Sequence, residues 1–374
     1  MPLSIWEKES FYFQSDVLLV GAGLTGLLSA IFLKQKSPSS IVRIIEKGIY
    51  PNGASVKNAG FACFGSVSEI LDDLESEGED KAYSRVIKRY KGLELLQKVI
   101  SPSLFDWQTN GAYEIFTAPE KDLQSKCFDA IDSINSQLKP SFGPELFVKN
   151  STNFSMSCLP ESIFTAKEAS INTGKLIKSL LSKARELGVE INLGTELLDY
   201  QKSGDQWIIT STQGSFKTQK LVFATNGFSK QYLDLNIEPG RGQVLLTSPI
   251  PSLKLLGNYH LHKGYFYFRN FNGRVLLGGG RHLERERENT LDQNTTESMQ
   301  EVLENLLKNT ILPNVGFKIS ERWAGTMAFG PNNEKEIINK DMGNGLFVTA
   351  RFGGMGLALS SYEAEIMALK ILSA

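Results

Sequence analysis

Short, unbroken apolar runs alternate with glycine clusters at both ends of this chain, and longer segments of mixed polarity fill its middle. Residues 16–20, Asp-Val-Leu-Leu-Val, are continuous and rich in branched side chains, which predicts a strand buried on both faces of a parallel sheet. A glycine cluster at 21–26 follows, then a helix predicted over 27–36 and a second apolar strand over 41–45. The end of the chain repeats this order, with strand 345–350, glycine turn 351–356 and helix 357–372. Between them, 70–97 carries apolar residues at helical spacing among charges, 102–160 reads as irregular, and 173–187 is an amphipathic helix that Gly188 ends. Strand 189–193 and a meander at 195–200, 207–211 and 220–223 come next. From 237 to 322 the period changes to two. At 264–269 it sets Tyr265, Tyr267 and Arg269 on one face and Phe266 and Phe268 on the other, and 275–280 returns as a hairpin partner. The charge run 284–288 reads as exposed surface, and 296–307 as another amphipathic helix.

The glycine cluster carries chemistry. In Gly21-Ala22-Gly23-Leu24-Thr25-Gly26 the first glycine allows a tight turn, the second a close approach of a pyrophosphate, and the third close packing of helix on strand. Helix N-termini present unpaired N–H groups and a positive dipole end to such an anion. Glu46, followed by Lys47, ends the second strand twenty residues past Gly26, where a carboxylate accepts hydrogen bonds from a ribose diol. Strand, helix and acid together predict a bound dinucleotide; a structural turn with Glu46 solvated is the alternative reading.

Composition narrows the class. The chain has 374 residues, enough for about two domains, and 41% hydrophobic with 22% charged residues is usual for a soluble globule. A net charge of −1 gives no sign of a nucleic-acid or anionic-membrane partner. Cys63, Cys127 and Cys158 are widely spaced without a CxxC, which suggests a reducing compartment and neither a zinc site nor a disulfide scaffold. His260, His262 and His282 are the only histidines, so no metal centre is expected. Residues 1–15 lack an apolar signal core, and the apolar run 17–33 is interrupted by glycines at cofactor spacing. The expectation is a cytoplasmic protein without a membrane span.

Residues 51–61 form a second small-residue loop, in which Ser55, Lys57 and Asn58 supply donors; a plain surface loop is the alternative. Here the sequence resembles the FAD-dependent oxidoreductases typified by D-amino-acid, glycine and sarcosine oxidases. Ala54, Ser55, Asn58 and Gly60, with Ala59 between, match that family's loop beside the flavin, and Val56-Lys57 stand where it often has Gly-Arg. The resemblance adds Leu197 at the adenine edge and Ala224-Thr225 with Gly227, where Asn226 is inserted. It also adds the turn Phe352-Gly353-Gly354-Met355-Gly356 at the flavin pyrimidine. It implies an α/β fold in which a Rossmann-type FAD-binding domain (14–69, 161–236 and 331–374) interleaves with an antiparallel-sheet α+β substrate domain (70–160 and 237–330).

The implied reaction is hydride transfer from the carbon of a C–N bond to non-covalently bound FAD, giving an imine. The expected partners are a small amine and, as acceptor, oxygen or another oxidant. Tyr265, Tyr267, Trp323 and Met327 are the candidates on the reacting side, with Phe329; the aromatics are equally sheet or core residues on a structural reading. Met327 falls where the family's amino-acid oxidases carry the arginine that clamps a substrate carboxylate, so a simple α-amino acid is the poorer expectation. Arg241, Arg269 or Arg351 would serve a remote carboxylate or a structural ion pair. Leu276 falls where sarcosine oxidases have an oxygen-activating lysine. Arg322 to Gly325 with Gly278 to Gly280 resembles the branch containing γ-glutamylputrescine oxidoreductase. An NAD(P)-dependent dehydrogenase and a flavin-binding protein without turnover are the rival readings.

Overall fold

Ser15–Val20 is apolar on both faces because it lies inside a parallel sheet, between Val42–Glu46 and Gly214–Phe223. In this computed structural model, residues 4–151, 154–251 and 253–374 are described; residues 1–3 of the N-terminal stretch, and 152 and 153 of the segment read as irregular, lie outside them. The sheet continues through Leu346–Ala350 to antiparallel Ile338–Asp341 on one side and to Glu190–Leu193 on the other. The predicted meander is antiparallel throughout, Leu197–Ser203 pairing with Gln206–Ser211 and Gln206–Ser211 with Gly214–Phe223.

The two glycine-started helices, Leu24–Lys36 and Gly356–Ser373, come from opposite ends of the chain and pack together, so Leu27, Ile31, Met367 and Ile371 share one core with Val17 and Leu19. Helix Glu79–Val99 lies against them through Leu93 and Leu96, while its Val86 joins a separate cluster. Gly92 makes that crossing possible, since any Cβ there would overlap the Ala358 carbonyl.

The second sheet runs in the order Ile319–Phe329, Glu238–Thr247, Val275–Gly279, Phe266–Asn270, Asn258–Leu261, Ala112–Glu114, Ser162–Thr165, Val148–Asn150. One face buries Leu245, Phe266, Phe268 and Leu277 beneath helix Glu297–Leu306, and the opposite face carries Val244, Leu246 and Tyr267. The alternation read at 264–269 is thus the alternation of faces. Tyr265 precedes the strand and is 48% exposed. The fold is mixed α/β, its parallel and antiparallel sheets built from interleaved chain segments. Among the described residues no helix is long and apolar enough to cross a membrane.

Three expectations change. The stretch 102–160 is not irregular throughout: it contains the 22-residue helix Lys121–Phe142. Leu123, Cys127, Ile131, Ile134 and Leu138 recur every three or four positions along it and pack on Phe64 and Val67. Pro140 is tolerated because it sits in the last turn, where little helix remains to break. The loop 51–61 contains one short helix, Ala54–Lys57. The charge run 284–288 is not all surface. Glu288 is fully buried because Arg241 reaches it with two hydrogen bonds of 2.9 Å and Gln243 adds a third of 3.0 Å.

Candidate active site

Gly21 has φ +103, a conformation that needs glycine, and a Cβ there would lie 2.9 Å from the Ala224 carbonyl oxygen. Gly26 lets helix Leu24–Lys36 start directly on the strand end, because a Cβ would overlap Gly21 O. Glu46 holds this corner: its Oε2 accepts from Ala22 N–H at 2.9 Å, its Oε1 from Gly48 N–H at 3.1 Å, and its backbone oxygen from Thr195 N–H at 2.8 Å. Ser55 Oγ accepts from Leu24 N–H at 3.0 Å, which ties the second loop to the first. Asn58 is spent on its own turn: its amide donates to the Ala54 and Ser55 carbonyls, and its Oδ1 accepts from Gly60 N–H. It shapes the loop and is not the free donor expected.

Helices Val67–Glu77 and Ile5–Ser10 are closed by serine capping boxes, and Thr173–Glu186 by Asn172. Helices Leu24–Lys36 and Gly356–Ser373 start at Gly23 and Met355 with no cap from the N-cap side chain and no acid in the first turn, and Ser55 meets only the Leu24 N–H. Their first turns touch, Thr25 Oγ1 donating to Ser360 Oγ at 3.3 Å. Two uncapped positive helix ends therefore open side by side onto one cleft.

That cleft has a volume of about 1890 Å³. Of the residues predicted from the glycine turns and loops, it is lined by Gly21, Gly23, Leu24, Thr25, Glu46, Lys47, Ala54, Ser55, Lys57, Asn58 and Ala59. Leu197, Ala224, Thr225 and all five residues of Phe352–Gly356 also line it. Ala22, Gly26, Gly60 and Gly227 stand behind the wall. Gly60, at φ +74, packs on Ile171 and Arg269, and a Cβ on Gly227 would lie 2.6 Å from Met327 O. The inserted Asn226 joins the two turns, accepting from Arg351 N–H at 3.0 Å.

The antiparallel sheet forms the opposite wall. Cross-strand partners place His260, Tyr267, Gly278, Val244 and Trp323 in one row. The Tyr267 ring lies over Gly278, where a Cβ would be 2.6 Å from it; Met327 Cε lies over Gly242 at 2.8 Å, and the Phe329 ring over Gly240 at 2.5 Å. Tyr265, Tyr267, Met327 and Phe329 line the cleft; Trp323 does not. Its indole N–H donates to Lys57 O at 2.8 Å and its ring packs beside Phe61 and Tyr267, so it joins sheet to loop. Enclosure, with Cys63 alongside, pushes the Tyr267 phenol up to about 12 and keeps it neutral. Tyr265 stacks on His282 at 4.1 Å.

The three expected arginines are engaged in the fold. Arg241 is held by Glu288 and by Asp292 at 3.1 Å, and Arg351 forks onto Glu334 at 2.7 and 2.6 Å. Arg269 donates to the Ala59 and Ile171 carbonyls, and burial lowers its pKa to about 10. Two cleft groups escaped the sequence reading. His260, 5% exposed, meets fully buried Glu168 at 2.8 Å. Burial opposes its charge, but Glu168, with Glu69 and Glu114 beyond, outweighs it and raises the pKa to about 9. Arg281 lies over the Phe329 ring at 4.2 Å. A signal for the second was present in Gly240, Gly242 and Gly325, bare positions in strands that must have something above them.

Residues 16–369 match the family described as FAD dependent oxidoreductase. The chain belongs to that family. Among solved structures it is similar to L-proline dehydrogenase from P. horikoshii, with TM-score 0.75 and 18% identity over 97% of this chain and 94% of that one. Glycine oxidase from Geobacillus kaustophilus gives TM-score 0.73 and 17% identity over 96% and 95%. In sequence it is 28% identical over 200 residues to D-amino acid dehydrogenase of Vibrio atlanticus, 51% of this chain and 46% of that protein. The chain spans 33% and 46% of the length of two curated relatives it matches. FAD, the family's cofactor, fits what the site shows: two uncapped helix starts for anionic groups, an acid at the second strand end, and a cleft larger than the ~300–1,000 Å³ of ordinary small-ligand pockets.

Proposed function

We propose that this protein oxidises the C–N bond of a small amine or amino-acid derivative to an imine, with non-covalently held FAD as the immediate acceptor. The observation that carries the reading is that one cleft is walled by both dinucleotide-type turns and by the glycine-floored aromatic sheet face. Names of relatives that act on proline, glycine and D-amino acids support the substrate class. The helix start at Gly23–Gly26 would hold the pyrophosphate, Glu46 the ribose diol, and the start at Gly353–Gly356 the end of the ring system that gains negative charge. Bound FAD supplies a two-electron acceptor for hydride. Tyr267, Val244 and Met327 give the substrate an apolar wall, and desolvation there lowers the pKa of an ammonium group so that the reacting amine is neutral. The aromatic faces of Tyr265 and Phe329 favour the cationic form on entry. Water hydrolyses the released imine. Cys63, Cys127 and Cys158 are unpaired, which supports a reducing, cytoplasmic setting.

An absorbance spectrum of the purified protein, followed by anaerobic addition of primary, secondary and α-carboxylated amines and then air, tests this reading. Flavin bands that bleach with an amine and return in air make oxygen the final acceptor, and bleaching without return makes it another oxidant. A protein that takes up no FAD on reconstitution overturns the proposal.

A further inference from the structure

Most cations around the cleft are neutralised: Arg85 and Lys335 by Asp73 and Glu77, Lys263 by Asp72, and Arg351 by Glu334. Arg281, just beyond strand Val275–Gly279, is not. Among the described residues no carboxylate oxygen lies within 4.0 Å of it. The acids that face it are taken, Glu238 by Arg285 at 3.3 Å and Glu288 by Arg241 at 2.9 Å. One of its terminal nitrogens donates to Asn289 Oδ1, and its buried Nε has no partner. Burial, with Arg285 as a positive neighbour, lowers its pKa. Its place is built: a Cβ on Gly240 would lie 2.6 Å from its Nε, and the Phe329 ring backs it.

Lys57 repeats the pattern. Its Nζ donates to Gln293 Oε1 at 2.9 Å, no carboxylate lies within 4.0 Å among the described residues, and burial lowers its pKa. It stands over Gly325, where a Cβ would lie 2.9 Å from its own. Gly325 pairs with Gly242, and Gly240 with Met327, so the two cations flank neighbouring rows of one sheet face, about 7 Å apart at the base. Both are tethered to neutral amide oxygens from the single segment 289–293, which fixes their positions without cancelling their charge. A partly desolvated cation without a counter-charge costs free energy that a bound anion returns.

We propose that Arg281, with Lys57 one row away, forms an anion subsite on the sheet wall that takes a substrate carboxylate and so selects carboxylated amines over their uncharged counterparts. This rests on the proposed function. Arg281 acts as a specificity residue, its planar fork matching the two carboxylate oxygens, and the uncharged thioether of Met327 sits between the two cations. A cofactor phosphate presents the same anionic chemistry, so the test separates the two sources.

Calorimetric titration of the purified holoprotein with succinate and with its uncharged isostere succinamide, for wild type, Arg281→Met and Arg281→Lys, decides it, with FAD content measured on each sample. Expected are at least tenfold tighter binding of succinate than of succinamide by wild type, a loss of most of that preference in Arg281→Met, an intermediate value in Arg281→Lys, and equal FAD content throughout. Equal binding of the two probes by wild type overturns the proposal, as does succinate affinity in either variant equal to wild type. Loss of FAD from a folded Arg281 variant also overturns it, by making the arginine a cofactor contact. If Arg281→Met does not fold, wild type and Arg281→Lys decide alone. A wild type without flavin defeats the oxidoreductase reading, whereas a flavin-bearing wild type without carboxylate preference defeats only this subsite.

Discussion

Raising the pH tests the His260–Glu168 pair most directly. The folded state lifts the imidazole from its ordinary 6.5 to about 9. The folded chain therefore binds one proton more than the unfolded chain between these values, and stability falls as pH rises. Its contribution is fully present below about 6.5 and lost as pH climbs through about 9. A shift of this size corresponds to about 3 kcal/mol, lost at a slope near 1.4 kcal/mol per pH unit. Cys63, which faces the pair, does not interfere, because burial holds its thiol well above the usual range. Urea unfolding of wild type and His260→Gln at a series of pH values measures the difference, and ring-proton NMR resolves His260 among only three histidines. Glu168→Gln removes the nearest partner but leaves the burial, so the ring should then titrate well below its wild-type value, with only Glu69 and Glu114 still favouring the charge. Wild type and His260→Gln losing stability in parallel above neutrality, or a wild-type ring titrating near 6.5, would refute the reasoning.

Gly26→Ala places a methyl against the Gly21 carbonyl, and Gly21 is itself pressed on Ala224; a loss of about 1–3 kcal/mol and of flavin per chain is expected, and an unchanged melting temperature with full flavin content would contradict it. Glu288→Gln leaves Arg241, 4% exposed, with only the half-exposed Asp292 as counter-charge. It should cost about 3 kcal/mol in urea unfolding, much of it recovered in Glu288→Gln/Arg241→Met; strict additivity of the two changes would show that the pair is not coupled. Adding FAD to apoprotein at a thousand times its Kd should stabilise the fold by about 4 kcal/mol, read as a rise in melting temperature; no rise would mean that the uncapped helix ends do not hold it.

The parallel sheet was legible because its strands are buried on both faces and read as plain apolar runs. The glycine turns were legible because only glycine satisfies Gly21 and Gly26. Helix Lys121–Phe142 was readable in the three-and-four spacing of Leu123, Cys127, Ile131, Ile134 and Leu138, but it was read together with the turn-rich 102–120 before it. The charge run at 284–288 was misjudged because burial of Glu288 is decided by Arg241, 47 residues earlier. The same limit hid His260, whose charge is set by a carboxylate 92 residues away. Trp323 looked like a pocket aromatic, but the face a side chain takes in a strand tells which sheet surface it joins, not how far along that surface the cleft reaches.

What sets the cleft apart is the partners the chain withholds there. The helices that start at Ser4, Ser66 and Asn172 are closed by their own side chains and those after Gly78, Glu120 and Thr296 carry an acid in the first turn, whereas the two that open on the cleft have neither. Arg85, Lys263, Lys335 and Arg351 on its rim have acids, whereas Arg281 and Lys57 have amides. An orphaned nitrogen alone does not mark a ligand site: Arg43, 1% exposed, also has two nitrogens without partners, yet it lies between Phe13 and Phe216 outside the cleft and bonds Asn192. There aromatic faces meet the charge from both sides and leave no room for an anion. At Arg281 one face rests on Phe329, and the side chain lines open volume. The difference between a structural cation and a recognition cation in this fold is therefore access: both are desolvated, and only one can still be reached.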